Sequence, residues 1–237
     1  MKALSWTGLS LMLLCFCVSP AGATIIFDNG APDLEGAFFS DADGYGQQCA
    51  ENFFGYTGSD EVATITGIEW FGVYYGNTPP PEDVFTVSFY SQEAGSRPAI
   101  SSFRNVAAGS ANRVDTGVDF IAGGGTSTHD VYSYSVNFSP LSLNMGQTYY
   151  VSITNSSPTA SSSDDWLWSS SNNVGGRFWY RYGYDMWSTN SDHPFDLAFN
   201  LTGTIQSNGG VMPEPASVTL MAFGLVGLAV HRLRRRG

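Results

Sequence analysis

"VYSYSVNF", residues 131–138, alternates Tyr132, Tyr134, Val136 and Phe138 with Ser133, Ser135 and Asn137. A two-residue period with aromatic and β-branched filling is the mark of a strand with one buried face. The same period recurs on both sides. "VFTVSFY" puts Phe85, Val87 and Phe89 together, "TYYVSIT" puts Tyr149, Val151 and Ile153 together, and "FDLAFNLTG" does so for Phe195, Leu197, Phe199 and Leu201. "TIIFD", "VATITGIEWFGVYY" and "GVDFI" are further strand candidates. Breakers lie between them: "NTPPPED", "EAGSRP", "AGGGTST" and "NSSPTASSS".

From residue 24 to 211, no segment keeps a 3.6-residue apolar stripe over ten residues without Gly or Pro. Crossover helices are therefore missing, and parallel α/β folds with them. The expectation is an all-β, antiparallel β-sandwich of jelly-roll type over residues 24–205, with a closed barrel as the alternative. "TIIFDNG" reads as its first strand and "FDLAFNLTGTI" as its last, and neighbouring places for the two would be ordinary in a sandwich.

The chain ends read as addresses. "MKALSWTGLSLMLLCFCVSPAGA" carries Lys2, an apolar stretch from Leu4 to Val18, and the small-x-small pattern Ala21-Gly22-Ala23. That is a signal peptide over 1–23, cut by signal peptidase before Thr24. Cys15 and Cys17 leave with it, so Cys49 stays without an intramolecular partner and is expected as a small buried apolar side chain. Residues 206–212 read as a linker. Beyond it, Ala216 to Val230 is free of charge and is followed by Arg232, Arg234, Arg235 and Arg236. Over about 216–231 this predicts a transmembrane helix with its arginines held in the cytoplasm.

Pro213-Glu214-Pro215, the apolar run and the terminal arginine cluster resemble the PEP-CTERM sorting signal, which is also labelled the ice-binding protein C-terminal domain. The resemblance covers about residues 211–237 and says nothing of the body, because such an address is carried by many unrelated domains. It departs from the common pattern at Met212, where Val is usual. It implies that the chain is exported, rests at least transiently at the inner membrane, and is handled by an exosortase near Pro213, Glu214 and Pro215. The implied destination is the cell envelope or an extracellular matrix rich in exopolysaccharide.

Residues 24–211 hold twenty Asp and Glu against five Arg and no Lys, a formal charge of −15. Such a surface repels nucleic acid. One segment departs sharply from the mean composition: residues 166–187 contain eight aromatics. Phe178, Tyr180, Tyr182 and Tyr184 alternate with Trp179 and Arg181, so one set is expected in the core and the other outside. Exposed aromatic planes flanked by Asp, Asn and Arg suit the apolar face and the hydroxyls of a sugar. The glycan-contact candidates are Trp166, Trp168, Trp179, Arg181 and Trp187, with an extracellular polysaccharide as partner. Core and loop plugs are the competing reading for the same rings.

"SDADGYGQQCAEN" places Asp41, Asp43 and Gly46 as in a calcium loop, but Tyr45 and Asn52 break the pattern. Asp41 and Asp43 are thus candidates only for a looser structural calcium site, and no other cofactor is expected. Two histidines stand beside acids, His129 with Asp130 and His193 with Asp192, yet strand neighbours face opposite ways. With no G-x-S-x-G elbow and no marked carboxylate pair, no catalytic residue is assigned. The expected function is a non-enzymatic structural or glycan-contacting surface domain. A secreted polysaccharide-active hydrolase is the alternative.

Overall fold

The computed structural model describes residues 24–42, 46–76, 79–109, 111–121, 128–156, 165–173, 176–189 and 195–207. The signal peptide, the sorting segment with Pro213, Glu214, Pro215 and its arginines, and Asp43 lie outside these residues. The described chain is all strand and turn, with no helix. That corrects one expectation. Among the described residues no helix is long and apolar enough to cross a membrane, and nothing in the fold supports the transmembrane helix expected at 216–231. The physical weakness of that reading was its length: fifteen uncharged residues fall short of the roughly 20 a bilayer core requires.

Fourteen strands form among the described residues. In chain order they are β1 (Thr24–Asp28), β2 (Pro32–Phe39), β3 (Gln47–Phe54), β4 (Val62–Tyr74), β5 (Phe85–Glu93), β6 (Arg97–Pro98) and β7 (Arg104–Ala107). There follow β8 (Asn112–Ile121), β9 (Thr128–Asn144), β10 (Thr148–Asn155), β11 (Trp166–Ser171), β12 (Trp179–Tyr182), β13 (Ser188–Thr189) and β14 (Phe199–Gln206). They make two curled antiparallel sheets, each a half-barrel, packed face to face as in a β-sandwich.

The first sheet runs β1-β14-β4-β9-β8. Near the end of β4, Gly72 pairs with Tyr132 of β9 and with Trp168 of β11, so β11 and then β2 extend the sheet on the side away from β9. The second sheet runs β13-β12-β3-β10-β5, with β6 and β7 both on β5. Bulges at Ile65/Gly67 and Asp115/Asp119 break the ladders of the long strands and let the first sheet curl.

The inward faces are those marked by the alternation. Phe85, Val87 and Phe89 of β5 and Val151 and Ile153 of β10 are fully buried opposite Trp70 and Tyr134 of the first sheet. Phe85 meets Trp70, Tyr134 and Trp166 edge-on at 5.3, 4.8 and 5.0 Å between ring centres. Such edge-to-face pairs add about 1 kcal/mol each to the area they bury. Trp166 fits only because residue 72 is glycine: a Cβ there would stand 2.5 Å from the indole.

The outward face of the second sheet departs from the expected pattern. Ser88 and Tyr90 of β5 and Tyr150 and Ser152 of β10 are buried as well, although their phase points away from the core. Trp187 and Trp179 pack with Ala50, Tyr90 and Tyr150 into a small second core on that face. A third cluster, Val73, Phe120, Val131 and Leu167, fills the outer hollow of the curled first sheet.

Between β2 and β3 the chain changes sheets at Ser40 and Asp41. The Ser40 amide donates to the Trp166 carbonyl in the first sheet, while its own carbonyl accepts from Asn155 in the second. The Ser40 hydroxyl donates to the Ile153 carbonyl at 2.5 Å and accepts from the Cys49 amide at 3.1 Å. Asp41 is completely buried at this corner and accepts from the Trp166 amide at 3.3 Å.

Candidate functional site

The aromatic segment is divided among three environments by strand phase. Trp166 and Trp168 of β11 point inward with no accessible surface, and Trp168 Nε1 donates to the Ala198 carbonyl at 2.9 Å. Neither indole presents a face to solvent, so both are core rings rather than sugar platforms. The corner residue Asp41 is equally enclosed. Among the described residues no group of three or more His, Cys, Asp and Glu could hold a metal ion.

On β12 the phases separate as the alternation predicts. Phe178, just before the strand, joins the main core, whereas Trp179 and Arg181 lie on the outer face of the second sheet. There the expectation of an open face meets a cover. Trp187 returns over the sheet and stacks on Arg181, whose guanidinium carbon lies 4.3 Å from the indole centre and 5.6 Å from that of Tyr90. Arg181 donates from Nε to Gln48 Oε1 at 2.8 Å, from one terminal nitrogen to the Ile100 carbonyl at 2.9 Å and from the other to Tyr90 Oη at 3.2 Å. Trp187 Nε1 donates to the Ala99 carbonyl at 3.1 Å. Arg181 and Trp187 are therefore a buried rivet joining the 96–103 loop to β12 (8 % and 4 % exposed, respectively). Trp179 remains half-buried beside it.

The other phase of β12 builds the open site. A cleft of about 290 Å³ lies between β2 of the first sheet and β12 of the second, lined by Phe38, Phe39, Gln47, Phe178, Tyr180 and Tyr182. Phe38 and Phe178 form its base, 4.3 Å apart. Tyr180 and Tyr182 meet edge to face at 6.0 Å, and Tyr182 stands 47 % exposed at the mouth. Among the described residues no charged side chain lines the cleft. Its polar groups are phenol hydroxyls and one amide, which both donate and accept.

Sequence reasoning placed Phe178, Tyr180 and Tyr182 on a single face and assigned that face to the core. It could not show that β12 is close to the sheet margin, where one face begins inside the protein and ends in solvent. The polar side chains Asn172, Asn173, Arg177 and Asp185 of the same segment are exposed but do not line this cleft.

Two acids are enclosed nearby. Glu51 of β3 is fully buried in the core, and its carboxylate accepts from the backbone amides of Asn52 and Leu197, both at 2.9 Å. Asp196 accepts from the Gly176 amide at 3.2 Å, and a Cβ on Gly176 would collide with its carboxyl. The next residues fix the cleft wall, since the Phe178 amide donates to the Phe195 carbonyl. Burial, reinforced by the charge of Asp196, pushes the Glu51 carboxyl well above the usual range. Burial raises Asp196 too, and the Gly176 amide opposes it.

A further buried acid, Asp83, accepts from Tyr74 Oη and pairs with Arg113 at 3.1 Å. His129 is buried with Nδ1 against the Tyr74 carbonyl, while Asp130 accepts from Tyr132 Oη. His193 and Asp192 lie outside the described residues. No protein-family model matches the chain, and no similar curated protein is found.

Proposed function

We propose that this chain is an exported, non-catalytic surface domain of the cell envelope or extracellular matrix, and that it contacts polysaccharide through the cleft between β2 and β12. The observation that carries the binding reading is the pair Tyr180 and Tyr182, which line an aromatic cleft with Tyr182 exposed at its mouth. A sugar ring offers apolar C–H faces to such rings and hydroxyls to Gln47 and the phenols. Binding without turnover is favoured because Glu51 and Asp196 are both enclosed and neither lines the cleft. A paired-acid hydrolase needs two carboxyls flanking the scissile bond.

Export and sorting rest on the sequence: a leader ending at Ala21-Gly22-Ala23, and the resemblance of Pro213, Glu214, Pro215 and the terminal arginines to a PEP-CTERM signal read by an exosortase. The jelly-roll reading rests on the way the chain repeatedly changes sheets, as from β2 to β3, β4 to β5 and β9 to β10.

The test is affinity electrophoresis of the full chain against a panel of soluble polysaccharides, with reducing-end release measured in parallel. Retardation by at least one polysaccharide, weakened about tenfold (roughly 1.4 kcal/mol) by Tyr180→Ala with Tyr182→Ala, is expected. Retardation that survives this double change, or no retardation at all, rejects the cleft. Release of reducing ends would instead mark a hydrolase.

A further inference from the structure

A second cavity lies on the other side of β2 and has a different chemistry. It measures about 260 Å³ in the outer hollow of the first sheet, and five of its strands or their flanking turns contribute walls. Val73, Leu167, Phe120 and Phe195 give apolar surface, and among the described residues Glu35 is the one carboxylate and His129 the one imidazole.

His129 is held as a binding group would be. Its ring stacks on Tyr75 at 6.5 Å and 24° and meets Phe120 at 6.3 Å, so it is clamped between two aromatic side chains. Nδ1 lies 3.1 Å from the Tyr74 carbonyl. A carbonyl only accepts, so Nδ1 carries a proton, and in the neutral ring Nε2 is an acceptor. Among the described residues Nε2 has no hydrogen-bond partner. The ring is 9 % exposed and lines the cavity.

The size and charge of the cavity narrow the occupant. At the packing density of protein interiors, 260 Å³ accommodates a molecule of roughly 190 Å³. Apolar cavities of about 150 Å³ accept benzene, so a substituted benzene suits this one. The walls favour an aromatic ring, through edge and face contacts with Phe120 and Phe195. Glu35 and the −15 charge of residues 24–211 disfavour a carboxylate.

We infer that this cavity is a binding site for a small neutral phenol, its ring among Val73, Leu167 and Phe120 and its hydroxyl donating to His129 Nε2. This site shares Ala37 and Phe38 with the cleft at Tyr180 and Tyr182, but p-cresol binding and its loss in His129→Phe are read without polysaccharide.

The test is calorimetric and ligand-detected NMR titration of the full chain with p-cresol, toluene and benzoate. Saturable binding of p-cresol is expected, at least tenfold tighter than toluene, with no binding of benzoate. His129→Phe keeps the aromatic clamp but removes the acceptor; it should bring p-cresol down to the level of toluene while leaving toluene unchanged. Ala37→Phe, which fills the cavity from β2, should remove both. Equal binding of p-cresol and toluene to the native chain, absence of binding, or indifference to both replacements overturns the site. The first of these comparisons uses only the native protein and does not depend on a variant folding.

Discussion

Glu51 shows at the scale of one residue how the fold uses a group that strand phase places inside although its charge favours water. Its neighbours in phase, Cys49 and Phe53, are ordinary core side chains, and the carboxyl stays there because two backbone amides donate to it. Its value in the folded chain lies above that in the unfolded chain, so the folded state holds the proton more tightly. The associated stability is complete below the unfolded value of about 4.3 and is lost as pH rises through the raised folded value. Asp196 and Asp83 are raised as well and act in the same direction. Thermal unfolding measured from pH 4 upward should show stability declining toward alkaline pH, at up to about 1.4 kcal/mol per pH unit for one group. Glu51→Gln should flatten part of that decline; an unchanged profile would remove Glu51 from the account. The acid itself was visible in the sequence, but its enclosure was not. "QQCAENFF" contains four polar residues, Gln47, Gln48, Glu51 and Asn52, and only the arrival of Leu197 shows how a charged one among them is satisfied inside.

At the scale of elements, β12 and the turn after it are the most informative. Alternation correctly separated Phe178 and Tyr180 from Trp179 and Arg181. Periodicity describes one strand, however, and carries no information about a later segment folding back over it. Trp187 does so, and it converts an outward face into a second core. Trp187→Ala is expected to cost about 3 kcal/mol, by the loss of a large buried ring. Hydrogen exchange should quicken locally in residues 96–103 and 183–189 while β4 and β9 stay protected. Uniform acceleration across the sheets would show that the rivet is not a local device. The same limit explains Trp166 and Trp168: their shared phase was legible, but the face they occupy depends on Gly72 making room opposite.

At the scale of the molecule, the two ends of the described fold are laid side by side. β1 pairs with β14 from Thr24↔Gly203 to Asp28↔Asn200, and Phe27 stacks on Phe199 at 5.5 Å. Deletion of residues 24–28 should therefore act on the whole domain, removing the burial of Ile26 and part of Phe27 at a cost of about 3 kcal/mol. It would also uncover the edge of β14, so association on size exclusion should accompany the fall in melting temperature. An unchanged melting temperature would mean that β1 contributes no stability to the sandwich. The sequence alone determined the all-β class and the inward faces of the main strands, because burial of one face imposes a period of two that composition cannot hide. Which aromatics remain accessible, which acids are enclosed and where the cavities open were decided only by the tertiary structure. Those properties depend on sheet curl, strand position and returning turns, all of which bring together residues far apart in the chain.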